Sequence, residues 1–169
     1  TLSGQMDNKA RTYQFPNQVY ASGKTEHDYL PRLWATRKIG FLLDQIRLQG
    51  KNKELVEEVV RLSKQYGIIT EYTSFLVRED VDVRRPAASA PMMEKADANL
   101  NDSLAETKGS WAISQSRNAA KMQQNAAPAG GNSYYDAEGK EQTVTQVKYV
   151  AQRAFYQKKG VWQDSLPAE

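Results

Sequence analysis

Two apolar stripes of helical spacing, on either side of Gly50, constrain this chain more than any other feature of its sequence. In each stripe the apolar residues recur every three or four positions, which is the spacing of one helix face. The stripes consist of Ala35, Ile39, Leu42, Leu43 and Ile46, and of Leu55, Val56, Val59, Leu62 and Tyr66. Pro31 suits the start of the first helix, Asn52 the cap of the second, and Gly67 its end. Because the connection after Gly50 is so short, we predict an antiparallel helical hairpin over 31–66.

Strand patterns flank the helical hairpin on both sides. Residues 1–20 carry apolar side chains at alternate positions around a polar turn, which predicts a β-hairpin. Residues 68–77 are rich in aromatic and β-branched side chains, which favour an extended strand. Residues 144–164 show strand spacing around a Lys-Lys-Gly turn. This last pattern predicts a small β-meander at the C-terminus.

The composition changes abruptly between the helical hairpin and the tail. Residues 84–142 are rich in Ala, Asn, Ser, Gln, Gly and Pro, and large apolar side chains are few. Two narrow apolar stripes in this polar arm predict one or two helices, which would need another surface to adhere to. We therefore predict an α+β fold: a β-hairpin, a helical hairpin and a strand in 1–83, the partly helical arm in 84–142, and the β-meander in 143–169.

The charge balance and the lack of cysteine exclude several classes of function. The chain has 23 Lys and Arg against 20 Asp and Glu, a net charge of +3, and its basic residues are interleaved with acidic ones. A nucleic-acid interface needs a one-sided basic stripe, so we expect no nucleic-acid partner. Without cysteine there are no disulfides or thiolate metal sites. No apolar run approaches the ~18 residues of a membrane-spanning helix, so no membrane span is expected.

Few residues offer catalytic or metal-binding chemistry. The single histidine, His27, stands between two acids in a polar loop, a setting typical of a solvated side chain. Glu79, Asp80 and Asp82 form the closest acidic cluster. A Ca²⁺ site needs six to eight oxygen ligands, so we interpret this cluster as an acidic segment balanced by the arginines that follow it. No nucleophile elbow or phosphate-binding loop is present, and we expect no enzyme, no cofactor and no small-molecule substrate.

Two stretches of the chain resemble bacterial VIT–VWA proteins, which are relatives of the inter-α-trypsin inhibitor heavy chains. The stretches span roughly residues 31–78 and 109–164. The residues that carry the resemblance include Trp34, Arg37, Gly40 and Thr73-Ser74 in the first stretch, and Phe155-Tyr156 and Gly160-Val161-Trp162 in the second. In that family the matching segment follows a von Willebrand factor A domain. The resemblance therefore implies that Thr1 lies inside a larger polypeptide, and that the N-terminal strands pair with its upstream portion.

The chain departs from the family pattern in ways that bear on function. The family's metal site depends on an Asp-x-Ser-x-Ser motif, which no Asp of this chain begins. A divalent metal would therefore belong to the absent A domain. The chain has Glu71 where the family usually has Pro, and Ala151 and Lys159 where Gly and Asp are expected. The resemblance implies a non-enzymatic structural or adhesion module, in a protein that is secreted or associated with the bacterial cell envelope.

We expect the partner to be the remainder of the same polypeptide or another protein chain. The candidate interface residues are Arg32, Trp34, Arg37, Lys38, Trp111 and Trp162. The predicted core consists of Trp34, Leu42, Leu43, Ile46, Val56, Val59 and Phe75. The alternative function is an accessory subunit of a large complex, in which the polar arm staples the chain to its neighbours.

Overall fold

The computed structural model describes residues 2–6, 9–13, 28–105, 108–126 and 132–166. The helices are α1 (Leu30–Gln49), α2 (Lys53–Tyr66), α3 (Ala90–Ala105) and α4 (Gly109–Gln123), with a 3-10 helix at Ser74–Val77. The strands are β1 (Leu2–Met6), β2 (Lys9–Tyr13), β3 (Asn132–Tyr135), β4 (Glu141–Val144), β5 (Val147–Val150), β6 (Arg153–Lys158) and β7 (Val161–Asp164). They form two antiparallel hairpins, β1–β2 and β3–β4, and an antiparallel three-stranded sheet in the order β5–β6–β7. The predicted α+β class, with an N-terminal hairpin and a C-terminal meander, is confirmed.

The helical hairpin forms as its sequence predicts. Gly50 ends α1 with φ +89°, and the Asn52 side chain accepts a hydrogen bond of 2.7 Å from the backbone N–H of Glu54. Gly67 ends α2 in the left-handed conformation, at φ +60°. A Cβ at Gly67 would lie 2.9 Å from a methyl carbon of Val147, so this glycine also lets β5 approach the end of α2. Helix capping and the close approach of β5 therefore both favour glycine at position 67.

The predicted strand over 68–77 is wrong. After Gly67 the chain makes buried turns and then the 3-10 helix. The hydroxyl of Thr70 accepts hydrogen bonds of 3.2 Å from the backbone N–H groups of Tyr72 and Thr73, and the hydroxyl of Thr73 accepts one of 3.0 Å from Thr70. Threonine side chains can satisfy neighbouring backbone groups in this way, which removes those groups from a strand ladder. The high β-propensity of the segment is overridden by these local bonds and by burial.

The helices of the polar arm pack against the helical hairpin of the same chain. The contact of α4 with α1 is close: a Cβ at Gly40 would lie 2.9 Å from Cβ of Met122 and 3.1 Å from the carbonyl oxygen of Ala119. The Gln123 side chain donates hydrogen bonds to the Gly40 carbonyl oxygen, at 3.2 Å, and to the Asp44 carboxylate. The other arm helix, α3, contacts α2. The surface to which these helices adhere is thus the chain's own.

The core lies between the helices and the C-terminal sheet. Its largest fully buried side chains are Ile39, Leu43, Ile46, Val56, Val59, Val60, Leu62, Phe75, Leu76, Val83, Leu100 and Tyr156. Six of the seven predicted core residues are buried, and the prediction for Trp34 is wrong, because its side chain is 52% exposed. Trp34 lies on the side of α1 opposite Ile39 and Leu43, where none of the helices that the structure describes covers it.

The C-terminal sheet attaches to the helices through β6. The hydroxyl of Tyr156 lies 3.1 Å from the carbonyl oxygens of Ser63 and Lys64, at the end of α2. The ammonium group of Lys158 donates hydrogen bonds to the carbonyl oxygens of Leu76, at 2.7 Å, and Arg78. The turns of this sheet place Ala151 and Lys159 at φ of +48° and +49°. These are two of the positions where the sequence departs from the family pattern, and the left-handed conformation is one that Gly and Asp adopt more easily.

Candidate protein-interaction face

Helix α1 is apolar on two opposite sides. With 3.6 residues per turn, Ala35, Ile39, Leu42, Leu43 and Ile46 lie on the side that faces the core, and all five are buried. Leu30, Trp34, Phe41 and Leu48 follow each other at i, i+4, i+11 and i+18, which puts them in one row on the other side. We call these four residues the outer stripe. It runs for about 27 Å along the helix.

The outer stripe is open to solvent. The exposed fractions of its residues are 47% for Leu30, 52% for Trp34, 50% for Phe41 and 85% for Leu48. Single exposed apolar side chains are common on protein surfaces, but several large ones in one row along a helix are typical of an interaction site. The stripe is therefore the best candidate for a docking surface among the described residues.

Basic groups border the outer stripe. Arg37 donates a 2.8 Å hydrogen bond to the carbonyl oxygen of Asn125 and remains exposed. The ammonium nitrogen of Lys38 lies 5.5 Å from the centre of the Phe41 ring. A hydrogen bond from Arg61 holds the pKa of Glu58 below its usual range, and Lys38 adds to this lowering. The first turn of α1 has no acidic residue, and Asp44, which lies beside the stripe between Phe41 and Leu48, is paired with Arg47 and Gln123.

An aromatic row joins the outer stripe to the C-terminal sheet. The ring of Trp34 meets Tyr66 edge-on at 6.5 Å, and Tyr66 lies 6.1 Å from Tyr149 on β5. Beneath this row, Arg32 donates a 3.2 Å hydrogen bond to the carbonyl oxygen of Tyr66 and stacks 5.8 Å from the Tyr149 ring. Burial lowers the pKa of the Arg32 guanidinium. Arg32 thus contributes to the packing that supports the face.

The structure separates the six candidate interface residues. Trp34, Arg37 and Lys38 lie on or beside the outer stripe, whereas Trp111 is buried on α4. Trp162 lies on β7, 37% exposed, with the ammonium of Lys148 at 4.6 Å from its ring. Arg32 lies beneath the face, as described above. Three members of the stripe, Leu30, Phe41 and Leu48, were not among the candidates from the sequence. Their helical spacing is visible in the sequence, on a different side of the helix from the core stripe.

Leu30, Phe41 and Leu48 were missed for a physical reason. A helix that is apolar on two sides has no single amphipathic face. The core stripe alone explains the helical periodicity of this segment, so the apolar residues on the other side do not form a separate signal in the sequence. The structure separates the two sets because, within the described parts of the chain, other elements cover only the core stripe.

The acidic cluster of the sequence is held in ion pairs and a hydrogen bond. Asp80 lies 3.1 Å from Arg78 and 2.7 Å from Lys95, and Asp82 lies 3.0 Å from Arg84. Glu79 accepts a 2.6 Å hydrogen bond from the backbone N–H of Lys159. Across the described ranges, no group of three or more His, Asp and Glu side chains is placed to hold a metal ion. His27 lies outside the described residues.

None of the helices that the structure describes is both long and apolar enough to cross a membrane. Comparison of the chain with protein-family models, with curated proteins and with solved structures found no match.

Proposed function

We propose that this chain is a non-catalytic protein-binding module and that its partner docks on the outer stripe of α1. The observation that supports the proposal is the exposure of four large apolar side chains in one row, on a helix whose other side is buried. Burying a Leu or Phe side chain that is now in water contributes about 1.5–3 kcal/mol. A partner with a matching apolar surface would therefore gain binding energy along the whole helix.

The shape and charge of the face define the class of partner. A straight row of side chains on a helix packs well against the apolar side of another helix. Arg37 and Lys38 border the row, and no acidic residue lies in the first turn of α1. Acidic residues on the partner would complement this charge and speed its association. The partner that we propose is an amphipathic helix with Asp or Glu beside its apolar row.

Two synthetic peptides test this proposal. Both form amphipathic helices with Leu along one side, and the residues that flank the Leu row are Glu in one peptide and Lys in the other. In fluorescence anisotropy titrations of the labelled peptides, we expect the Glu peptide to bind at least about tenfold more tightly, because Arg37 and Lys38 repel the Lys peptide. Phe41→Glu should weaken the Glu peptide about tenfold or more. The control is Gln49→Glu, which makes the same change of charge at an exposed position of α1 outside the stripe. It should leave the affinity for the Glu peptide within about twofold of the native value.

Two results would overturn the proposal. The first is equal affinity of the Glu and Lys peptides, or an affinity that Phe41→Glu does not change. The second is a concentration-dependent dimer of the chain alone, seen by sedimentation velocity and dissolved by Phe41→Glu. That dimer would assign the outer stripe to a second copy of the chain.

The identity of the larger protein stays a prediction. In this prediction the chain is the C-terminal part of a secreted or envelope-associated VIT–VWA protein, and its partner is the remainder of that polypeptide. The alternative, an accessory subunit that is stapled to neighbouring chains, also stays a prediction. The residues encoded directly before Thr1 discriminate between them. An A domain carrying Asp-x-Ser-x-Ser favours the first, and its absence favours the second.

A further inference from the structure

A shallow groove lies between α1 and α4. The two helices run antiparallel here, because Arg37 on α1 bonds to the carbonyl oxygen of Asn125 and Arg47 bonds to the hydroxyl of Ser116. The volume of the groove is about 650 Å³, which is within the range of ligand sites in proteins. None of the four residues of the outer stripe belongs to its lining. The groove is therefore a separate surface from the stripe.

Small side chains form the α4 side of the groove. Four of them recur every three or four positions and so follow one row along the helix: Gly109, Ala112, Ser116 and Ala120. The row is about 16 Å long, at 1.5 Å per residue. Small side chains let the backbone of a bound chain approach the helix closely. They provide access along the groove, and the choice of ligand depends on the larger residues beside them.

The larger polar residues of the groove are all cationic. Its lining contains Arg47, Lys108 and Arg117, and no carboxylate. Among the described residues, Lys108 and Arg117 form no ion pair. Arg47 donates a 3.1 Å hydrogen bond to the Ser116 hydroxyl and lies 3.8 Å from the carboxylate of Asp44. The groove thus carries positive charge that only Asp44 offsets by a direct contact.

Arg117 is held in position while its N–H groups stay available. The central carbon of its guanidinium lies 3.9 Å from the centre of the Tyr135 ring, and the residue is exposed. Stacking on a ring occupies the face of a guanidinium and leaves the N–H donors at its edge free to bind a carboxylate. On the β4 side, hydrogen bonds from Lys121 and Ser133 hold the pKa of Glu141 below its usual range, and Arg117 adds only a minor lowering. Glu141 is therefore engaged mainly by Lys121.

Ile113 gives the groove an apolar contact point. Its side chain belongs to the lining, one helical turn before Arg117, and is 62% exposed. A free inorganic anion would use the cations and leave this side chain in water. An alkyl side chain of a bound polypeptide would cover it and gain the free energy of burying apolar surface. The combination favours a ligand that carries carboxylates and an apolar side chain together.

We propose that this groove binds an acidic segment of a partner protein, whose Asp or Glu side chains pair with Lys108 and Arg117 and whose apolar side chain covers Ile113. The row of about 16 Å matches about five residues of extended chain, at about 3.3 Å per residue. Opposite charges select such a segment and speed its association. A nucleic acid fits less well, because its backbone needs a continuous basic surface rather than three cations around small and apolar side chains. The proposal does not rest on the docking of a helix to the outer stripe.

The probe for this proposal is a peptide of about five residues with blocked termini, in which Glu and Leu alternate and Glu stands at both ends. It is titrated into the ¹⁵N-labelled chain while the amide signals of Ile113 and Ser116 are followed. We expect saturable shifts, and an affinity about tenfold weaker for the same peptide with Gln in place of Glu. Raising NaCl from about 50 to about 500 mM should also weaken the Glu peptide severalfold, since salt screens exposed charge pairs.

Two variants locate the binding. Lys108→Gln and Arg117→Gln each remove one cation of the groove and should each weaken the Glu peptide about threefold, the size expected for one exposed charge pair. The matched control is Lys148→Gln, which removes an exposed lysine of β5 outside the lining and should keep the affinity within about twofold. Because Arg117 also packs on Tyr135, Lys108→Gln is the deciding variant if Arg117→Gln disturbs the amide spectrum as a whole.

Four results would overturn the proposal. The Glu peptide may give no saturable shifts, or the Glu and Gln peptides may bind equally well. The affinity may stay unchanged in Lys108→Gln. Finally, sodium glutarate may saturate the amide signals of Ile113 and Ser116 at the same concentrations as the peptide, which would mean that two carboxylates suffice and that no polypeptide segment is selected.

Discussion

At the scale of the residue, Glu71 has the largest expected influence on how the stability of this chain responds to pH. Burial raises its pKa to about 7, against 4.5 for an exposed glutamate. The unfolded chain therefore releases this proton at lower pH than the folded chain does. Between pH 4.5 and 7 the unfolded state is favoured progressively, and the stability contribution present at low pH is lost as the pH rises.

Glu71→Gln tests this dependence, because glutamine resembles the protonated acid at every pH. The free energy of unfolding of the variant should equal that of the native chain near pH 4 and exceed it by about 3 kcal/mol at pH 8. This figure follows from the pKa difference between the folded and the unfolded chain, at about 1.4 kcal/mol per pKa unit. Urea denaturation of both proteins at pH 4, 6 and 8 measures the difference.

The exposed Glu138 provides the comparison for this experiment. Glu138→Gln should show a difference from the native chain that stays within about 0.5 kcal/mol across the same pH range. If the difference for Glu71→Gln is equally flat, Glu71 ionises as an exposed glutamate does.

At the scale of the element, helix α1 depends on a glycine for its contact with α4. Inside a helix, Gly40 costs about 1 kcal/mol relative to alanine through its backbone freedom alone. The nearness of Met122 and of the Ala119 carbonyl oxygen, 2.9 and 3.1 Å from the position of a Cβ, explains why a larger residue does not fit. Close packing therefore outweighs helix propensity at this position.

Gly40→Ala distinguishes the two effects by the sign of the change. Propensity alone would stabilise the protein by about 1 kcal/mol, whereas the crowding against α4 should reverse this and leave a net loss of about 1–2 kcal/mol. Thermal and urea unfolding measure the change, and Gln49→Ala, at an exposed position of the same helix, should shift stability by less than about 0.5 kcal/mol. A gain in stability for Gly40→Ala would mean that α4 does not approach α1 this closely.

Much of the element content was predictable because it depends on neighbours in the sequence. The caps at Asn52 and Gly67 and the 3.6-residue spacing between them specify α2 without any distant contact. The segment 68–77 was not predictable, because its β-branched and aromatic residues also suit a buried turn, and the Thr70–Thr73 hydrogen bonds decide between the two. The outer stripe was readable in principle, but nothing in the sequence states which side of α1 is covered.

At the scale of the whole molecule, a few buried hydrogen bonds connect segments that are far apart in the chain. The hydroxyl of Tyr156 on β6 contacts carbonyl oxygens at the end of α2, 92 and 93 residues away. Asn132 on β3 donates to the carbonyl oxygen of Gly67, at 2.9 Å, and accepts from the backbone N–H of Ile69, at 3.1 Å. Tyr156 thus holds β6 against the last turn of α2, and Asn132 holds β3 against the segment that follows α2.

Tyr156→Phe measures the energy of one of these connections. It removes the hydroxyl and keeps the ring, so the buried carbonyl oxygens lose a donor, and the free energy of unfolding should fall by about 1–2 kcal/mol. Tyr149→Phe is the matched control in the same sheet, because the buried hydroxyl of Tyr149 has no hydrogen-bond partner in the part of the chain that the structure describes. Chemical denaturation should show at most about 0.5 kcal/mol for the control, and equal losses for the two variants would contradict the role given to Tyr156.

The sequence by itself determined the N-terminal β-hairpin, the helical hairpin and the C-terminal β-meander, since turn residues, caps and periodicity act within a few positions. Only the tertiary structure decided that the polar arm packs on α1 and α2, that Trp34 faces solvent, and that Glu71 borders a cavity with Asn118 and Tyr134. These outcomes depend on pairs of residues tens of positions apart, such as Ile69 and Asn132, 63 residues from each other. Local patterns carry no information about such pairs, because burial is set by what the rest of the chain covers.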